Sequence, residues 1–155
     1  MSRIIFSTFA FIGAIFQIFV IKTPPLEAFL FNLIIFTVGF WGIFVFIGDC
    51  FRFDGNVIKI GWQPGNLFQK IVAFFNLLRG ILGILCIWFR GNFWSVTVII
   101  SSVFIFSYGC YELRHIEKMP VTKNGPSYYT EFVLNFDLGL PLVLVSLLVL
   151  YKIGM

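Results

Sequence analysis

Five apolar stretches dominate the chain: 4–21, 28–48, 67–89, 93–111 and 132–151, of 18, 21, 23, 19 and 20 residues. At 1.5 Å per residue a helix of such a stretch is about 27 to 35 Å long, which matches a hydrocarbon core of about 30 Å. Three of the five contain no charged side chain. Transmembrane strands need only about 9 to 11 residues and an alternating pattern, which a run such as LFNLIIFTVGFWGIFVFIG does not show. Composition points the same way. Of the 155 residues 59% are hydrophobic, 22 are phenylalanine and 12% are charged, with a mean hydropathy of +0.98. A soluble domain carries roughly a quarter of its residues as charges, so the solvent this chain expects is lipid. The sequence predicts an all-α, polytopic transmembrane bundle of five spans in one domain, 1–155.

The first stretch does not read as a cleavable leader. It exceeds the usual h-region of about 7 to 15 residues and ends in VIKTPPLE rather than in small residues. Lys22-Thr23-Pro24-Pro25 reads as a tight reversal, because each proline disfavours helix at the residue before it. Arg90-Gly91-Asn92 is a second reversal, flanked by Trp88 and Trp94 where amphipathic rings favour the headgroup level. The long connections, 49–66 and 112–131, carry the turn signals Asp54-Gly55, Pro64-Gly65 and Asn124-Gly125-Pro126.

Orientation follows from the basic residues. Arg3, Arg52, Lys59, Lys70, Arg114, Lys118 and Lys123 fall on one side of a five-pass chain, and Lys22, Arg90 and Lys152 on the other. Seven against three predicts a cytoplasmic N-terminus, with both long loops in the cytoplasm. The positive charge is scattered singly and forms no basic patch, which argues against a nucleic-acid partner. Cys50, Cys86 and Cys110 are too far apart for a paired motif and odd in number, so no disulfide framework is expected.

The polar residues inside the spans are the functional candidates. Arg79 lies about 18 Å along the third stretch, near mid-bilayer, where a guanidinium costs about 2.5 to 3.5 kcal/mol on insertion scales. Asp137 is the acid well inside another span, and it enters from the same side. Two readings stand for this pair: a buried polar centre that fixes packing, or a site for an anionic ligand or a proton-coupled pathway. Asn76, Gln69 and Asn135 are candidates to line it. Gln69, Ala73, Asn76, Gly80 and Gly83 recur at helical spacing, as do Ser95, Ser102 and Gly109, while Gly39 and Gly42 punctuate the second stretch. Small and polar stripes of this kind predict helix contacts. Pro141, four residues after Asp137, frees a backbone carbonyl and marks a kink.

A second constellation gathers at the cytoplasmic boundary. Asp49 ends the second span, and Glu112 and His115 share a helical face at the end of the fourth. A mononuclear metal site drawn from Asp49, Glu112 and His115 is one reading; charged helix ends pairing with each other or with lipid is the plainer one. There is no serine elbow, H-E-x-x-H, P-loop or dinucleotide fingerprint, so no enzyme class and no cofactor is implied.

From Phe29 to about Leu148 the chain resembles a family of small multi-pass membrane proteins of prokaryotes known as a domain of unknown function. The resemblance is carried by FIGDCFRFDGNVIKIGWQPGNLFQKIVAFFNLLRGILGI, by RGNFWSVTV, by the polar end of the fourth helix from Gly109 to Ile116, and by Asp137 and Pro141. Asp49 stands where that family tends to have histidine, and Lys70 where it tends to have glutamate, which weakens a paired-histidine site. In layout the chain is distantly similar to DoxX-like proteins, which implies a membrane oxidoreductase component as an alternative. The expected function is therefore a small integral membrane protein, transporter-like or an accessory subunit, with a structural subunit of a larger complex as a further alternative. The expected partners are the lipid bilayer and further copies or subunits.

Overall fold

The structure, a computed structural model, describes residues 2–51, 67–116 and 134–154. The turn signals expected within 52–66 and 117–133 lie outside the described residues. Among the described residues every element is helical, and they form five rods. Rod 1 is the α-helix Ser2–Phe16 continued by a π-helical stretch, Gln17–Ile21. Rod 2 is Pro25–Leu33, then π-helical Ile34–Phe40, then Trp41–Phe51. Rod 3 is Leu67–Leu85, rod 4 is Asn92–Ile116, and rod 5 is π-helical Leu134–Leu138 followed by Gly139–Ile153.

Among the described residues, four helices are long and apolar enough to cross a membrane: Ile4–Ile21, Pro25–Gly48, Asn92–Tyr111 and Phe136–Ile153. Rod 3, which carries Lys70, Asn76 and Arg79, is shorter than the 67–89 expected of it. Its α-helix stops at Leu85, and the amides of Trp88 and Phe89 both turn back onto the Leu85 carbonyl (3.0 and 2.9 Å). Rod 2 is central, with 50% of its apolar window buried, whereas rod 1 has 11% buried and lies at the edge. Outward faces are mostly apolar, with Phe19, Val103, Leu142 and Ile153 largely exposed. A water-facing surface of that kind would be a continuous adhesive patch, while in lipid it costs nothing.

The short reversals form as the sequence predicts. Lys22 takes a left-handed conformation (φ 58°) and returns its amide to the Gln17 carbonyl, after which Pro24 and Pro25 start rod 2 with the fixed φ that the first helical turn needs. Gly91 supplies the positive φ (71°) of the second reversal. Glu27 and Arg90 pair at 3.0 Å, and Lys152 reaches Asn92 at 3.3 Å. Both reversals and the end of rod 5 therefore share one end of the bundle.

The π-helical stretches have local causes. In rod 2 the Thr37 hydroxyl donates to the Leu33 carbonyl (2.6 Å) and the Asn32 amide donates to that of Ala28 (2.8 Å), so side chains compete for acceptors the α ladder would use. In rod 5 the ring of Pro141 cannot donate to the Asp137 carbonyl and crowds it, and the wider turn Leu134–Leu138 lies immediately upstream.

Packing divides the bundle along its axis. The apolar core joins Leu30, Ile34 and Val38 of rod 2 to Trp94 and Val98 of rod 4 and Leu144 and Leu148 of rod 5, all in the half toward the reversals. Trp94 differs from the expectation of a headgroup anchor: it is fully buried, its indole N–H donates to the Cys86 carbonyl (3.0 Å), and its ring lies against Phe31 and Tyr151. Trp88 is the outward ring of the two. Rods 2 and 3 meet through the four glycines the sequence singled out. A Cβ added to Gly42 would stand 2.7 Å from the Asn76 carbonyl oxygen, one added to Gly80 would stand 2.8 Å from the Ile43 nitrogen, and one added to Gly83 would overlap the Gly39 backbone. Where no hydrophobic force drives helices together, such backbone contact is what holds them.

Candidate functional site

The other half of the bundle is polar inside. Rod 3 contributes Asn76 and Arg79, one helical turn apart and so on one face; they are 6% and 7% exposed. Rod 5 contributes Asp137 from its π-helical turn, 5% exposed. Rod 4 contributes Phe104 and Tyr108, and rod 2 contributes Trp41. These side chains line one cavity of about 70 Å³. At roughly 10 to 15 Å³ per water, that is room for about five waters or for a ligand of about five non-hydrogen atoms. Arg79 and Asp137 thus border one chamber.

Each wall has a structural reason to be where it is. The glycine seam pulls rod 3 onto rod 2, and the Asn76 carbonyl lies directly on Gly42. On the opposite side Gly109 of rod 4 admits rod 5, since a Cβ there would stand 2.8 Å from Cβ of Asp137. The guanidinium of Arg79 sits 5.8 Å from the ring centroid of Phe104, which is itself stacked on Phe75 at 5.4 Å. A desolvated cation over an aromatic face gains about 2 kcal/mol, so the ring offsets much of the insertion cost of the arginine.

Asp137 also borders a smaller cavity of about 20 Å³ with Trp41 and Ile105 in common, beyond which lie Ser7 of rod 1 and Thr37 of rod 2. The carboxylate therefore stands between two spaces. A polar stripe leads away from the larger one along rod 4: Thr97, Ser101, Phe104 and Tyr108 are spaced four, three and four apart and share a face. Thr97 and Ser101 are fully buried, and the Ser101 hydroxyl has no hydrogen-bond partner among the described residues. A buried hydroxyl without a partner costs about 1 to 3 kcal/mol, which favours water beside it.

The other candidates stand at helix ends. Gln69 and Asn135 are on the first turns of rods 3 and 5, and Asp49, Glu112 and His115 are on the last turns of rods 2 and 4, at the end opposite the reversals. The side chains of these five lie outside the described residues. Among the residues whose side chains are described, no three His, Cys, Asp or Glu groups come together as a metal site would require.

Sequence reasoning missed Trp41, Phe104 and Tyr108 as lining, because an aromatic in an apolar span carries no positional signal. It also missed Asn32, whose amide donates to Oε1 of Gln17 (3.1 Å) and ties rod 1 to rod 2 against Gly13. The signal was present there: a lone amide in each of two consecutive apolar runs is costly unless the two meet.

Long apolar helices that bury Arg79 and Asp137 inside the bundle mark a helical membrane protein. The chain belongs to a family of unknown function, DUF6790, whose model matches residues 1–154. No curated protein and no solved structure is detectably similar to it.

Proposed function

We propose that this chain is a transporter-like integral membrane protein that threads a prokaryotic inner membrane five times, N-terminus in the cytoplasm, and holds a small polar ligand in the chamber between Arg79 and Asp137. The observation that carries the reading is the chamber itself: an arginine and an aspartate from different rods, both nearly fully buried, border a space large enough for a ligand. Threading is supported by the Glu27 to Arg90 and Lys152 to Asn92 contacts, which gather the ends of rods 1, 3 and 5, and by the excess of Lys and Arg on the long-loop side. The unpartnered Ser101 hydroxyl supports a hydrated route toward the reversals.

The test is thiol labelling in intact cells, in a background with Cys50, Cys86 and Cys110 replaced by alanine. Asn76→Cys and Tyr108→Cys react with a small water-soluble methanethiosulfonate, and Val103→Cys, which faces outward, does not. If positions 76 and 108 stay silent while residues in the long loops react, the chamber is dry and the proposed site is wrong.

A further inference from the structure

The smaller space beside Asp137, about 20 Å³ in volume, lies on the flank of the bundle. Phe6 and Ser7 of rod 1 and Phe136 and Leu140 of rod 5 border it, all of them within apolar spans. These four are part-exposed, whereas Thr37, Ile105 and Asp137 behind them are 3%, 4% and 5% exposed. Rod 1 packs along rod 2, and rod 5 packs on rods 4 and 2, but rods 1 and 5 make no extended contact with each other among the described residues. The space is therefore a recess in the seam between rods 1 and 5. In a chain threaded as proposed, that seam opens at the depth of the acyl chains.

A thin partition divides this recess from the chamber: Trp41, Ile105 and Asp137 border both spaces. Ile105 and Asp137 are buried, but Trp41 is part-exposed. Its ring lies 5.6 Å edge-on from Phe6 and 5.7 Å from Phe44, which is itself exposed. It is also the first α-helical residue after the π-helical stretch Ile34–Phe40, a change of helical register of the kind that marks functional sites. Of the three, Trp41 is thus the one with room to swing outward. We infer that Trp41 gates a lateral passage between the chamber and the lipid, past Asp137 and out between rods 1 and 5, and that the passage admits small uncharged amphiphiles. The inference rests on the proposed ligand site and names the route and class of its ligand. Phe6, Phe136 and Leu140 offer a hydrated ion nothing in exchange for its water, and the proton of the Thr37 hydroxyl is already committed to the Leu33 carbonyl. A molecule dissolved in the bilayer meets no such cost, and its polar end finds hydrogen-bonding groups at Asn76 and Tyr108. The chamber volume of about 70 Å³ limits it to about five non-hydrogen atoms, the size of a short-chain alcohol or amide.

The experiment follows labelling of Asn76→Cys in the full-length chain, with Cys50, Cys86 and Cys110 replaced by alanine, in phosphatidylcholine vesicles. Two reagents of the same chemistry are compared: methyl methanethiosulfonate, uncharged and lipid-soluble, and its trimethylammonioethyl analogue, a fixed cation. Trp41→Ala is expected to raise the rate with the uncharged reagent about tenfold, as the open fraction approaches one, and to leave the rate with the cation unchanged. Trp41→Phe, which keeps a ring, stays close to the native rate. Adding Ser7→Trp to Trp41→Ala refills the recess and returns the uncharged rate to its starting value, a reversal that a merely loosened protein would not show. A rate indifferent to Trp41→Ala overturns the inference, and so does an increase that Ser7→Trp fails to reverse. An equal increase with both reagents also overturns it, because the opening then leads to water. In these three cases labelling of position 76 by the cation leaves the chamber standing. Silence of position 76 toward both reagents removes chamber and passage together.

Discussion

Gly109 on rod 4 lies directly against Asp137 on rod 5: a methyl group placed on that glycine would come within 2.8 Å of the Asp137 Cβ. The closeness is what brings a carboxylate from the irregular start of rod 5 into the space bordered by Arg79. Gly109→Ala therefore pushes the π-helical turn Leu134–Leu138 outward. It is expected to destabilise the protein by about 1 to 3 kcal/mol in denaturant unfolding from micelles. It also lowers the reactivity of a cysteine at position 76 or 108, because the chamber loses one wall's register.

The seam between rods 2 and 3 gives a sharper comparison. Gly83→Ala drives a methyl into the Gly39 backbone, where neither side can give, whereas a Cβ on Gly48 meets nothing within 4 Å. The first change is expected to cost about 1 to 3 kcal/mol. Gly48→Ala is expected to be neutral or to stabilise by at most about 1 kcal/mol through helix propensity. Equal effects of the two in unfolding experiments would mean that rods 2 and 3 are not in backbone contact.

The two tryptophans flanking the second reversal separate by role in the same way. Trp94→Phe retains the ring against Phe31 and Tyr151 but leaves the buried Cys86 carbonyl without the indole N–H, an expected loss of about 1 to 3 kcal/mol. Trp88→Phe, on an outward ring, is expected to stay within about 0.5 kcal/mol. Thermal melting of the two variants in one detergent distinguishes them.

Much of this arrangement was readable in advance, for a physical reason. Glycines at helical spacing in apolar runs have little use other than close packing, so Gly39, Gly42, Gly80, Gly83 and Gly109 pointed to helix contacts, without saying which rods meet there. Lys22-Thr23-Pro24-Pro25 and Arg90-Gly91-Asn92 announced reversals because proline, glycine and charge leave few alternatives. Illegible were facts that depend on rotation of one rod against another. Trp94 and Trp88 look alike on either side of the reversal, yet one is core and one is surface. Tyr108, next to Gly109, becomes a chamber wall through a contact made 29 residues further on at Asp137. The π-helical turns were also hidden, although Pro141 marked the irregularity in rod 5 and Thr37, an isolated hydroxyl four residues from Leu33, marked the one in rod 2.

The exposed pair of Glu27 and Arg90 is expected to contribute little to stability. Its members are 22% and 61% exposed and 3.0 Å apart, and pairs of this kind give about 0.2 to 1 kcal/mol in double-mutant cycles. Arg90 also lies over the rings of Phe31 and Trp94, 5.5 and 5.9 Å from their centroids. Glu27→Gln is therefore expected to be nearly silent, while Arg90→Ala loses the ring contacts as well and costs more. A cycle over the two sites that returned several kcal/mol would contradict this ranking.

The threading has its own test, independent of the chamber. Glu27 stands at the start of rod 2, Arg90 between rods 3 and 4, and Lys152 at the end of rod 5, and their contacts bring all three to one end of the bundle. If that end meets one face of the membrane, the start of rod 1 must meet the other, because successive rods then alternate in direction. Reporters on the two termini are expected to report opposite compartments: a fluorescent protein that matures in the cytoplasm at residue 1, and a phosphatase active outside it at residue 155. Rod 3 is where this can fail, since it carries Lys70, Asn76 and Arg79. Were it to lie along the membrane surface, both termini would report the same side, and Arg79 could not reach the depth at which a buried partner becomes necessary.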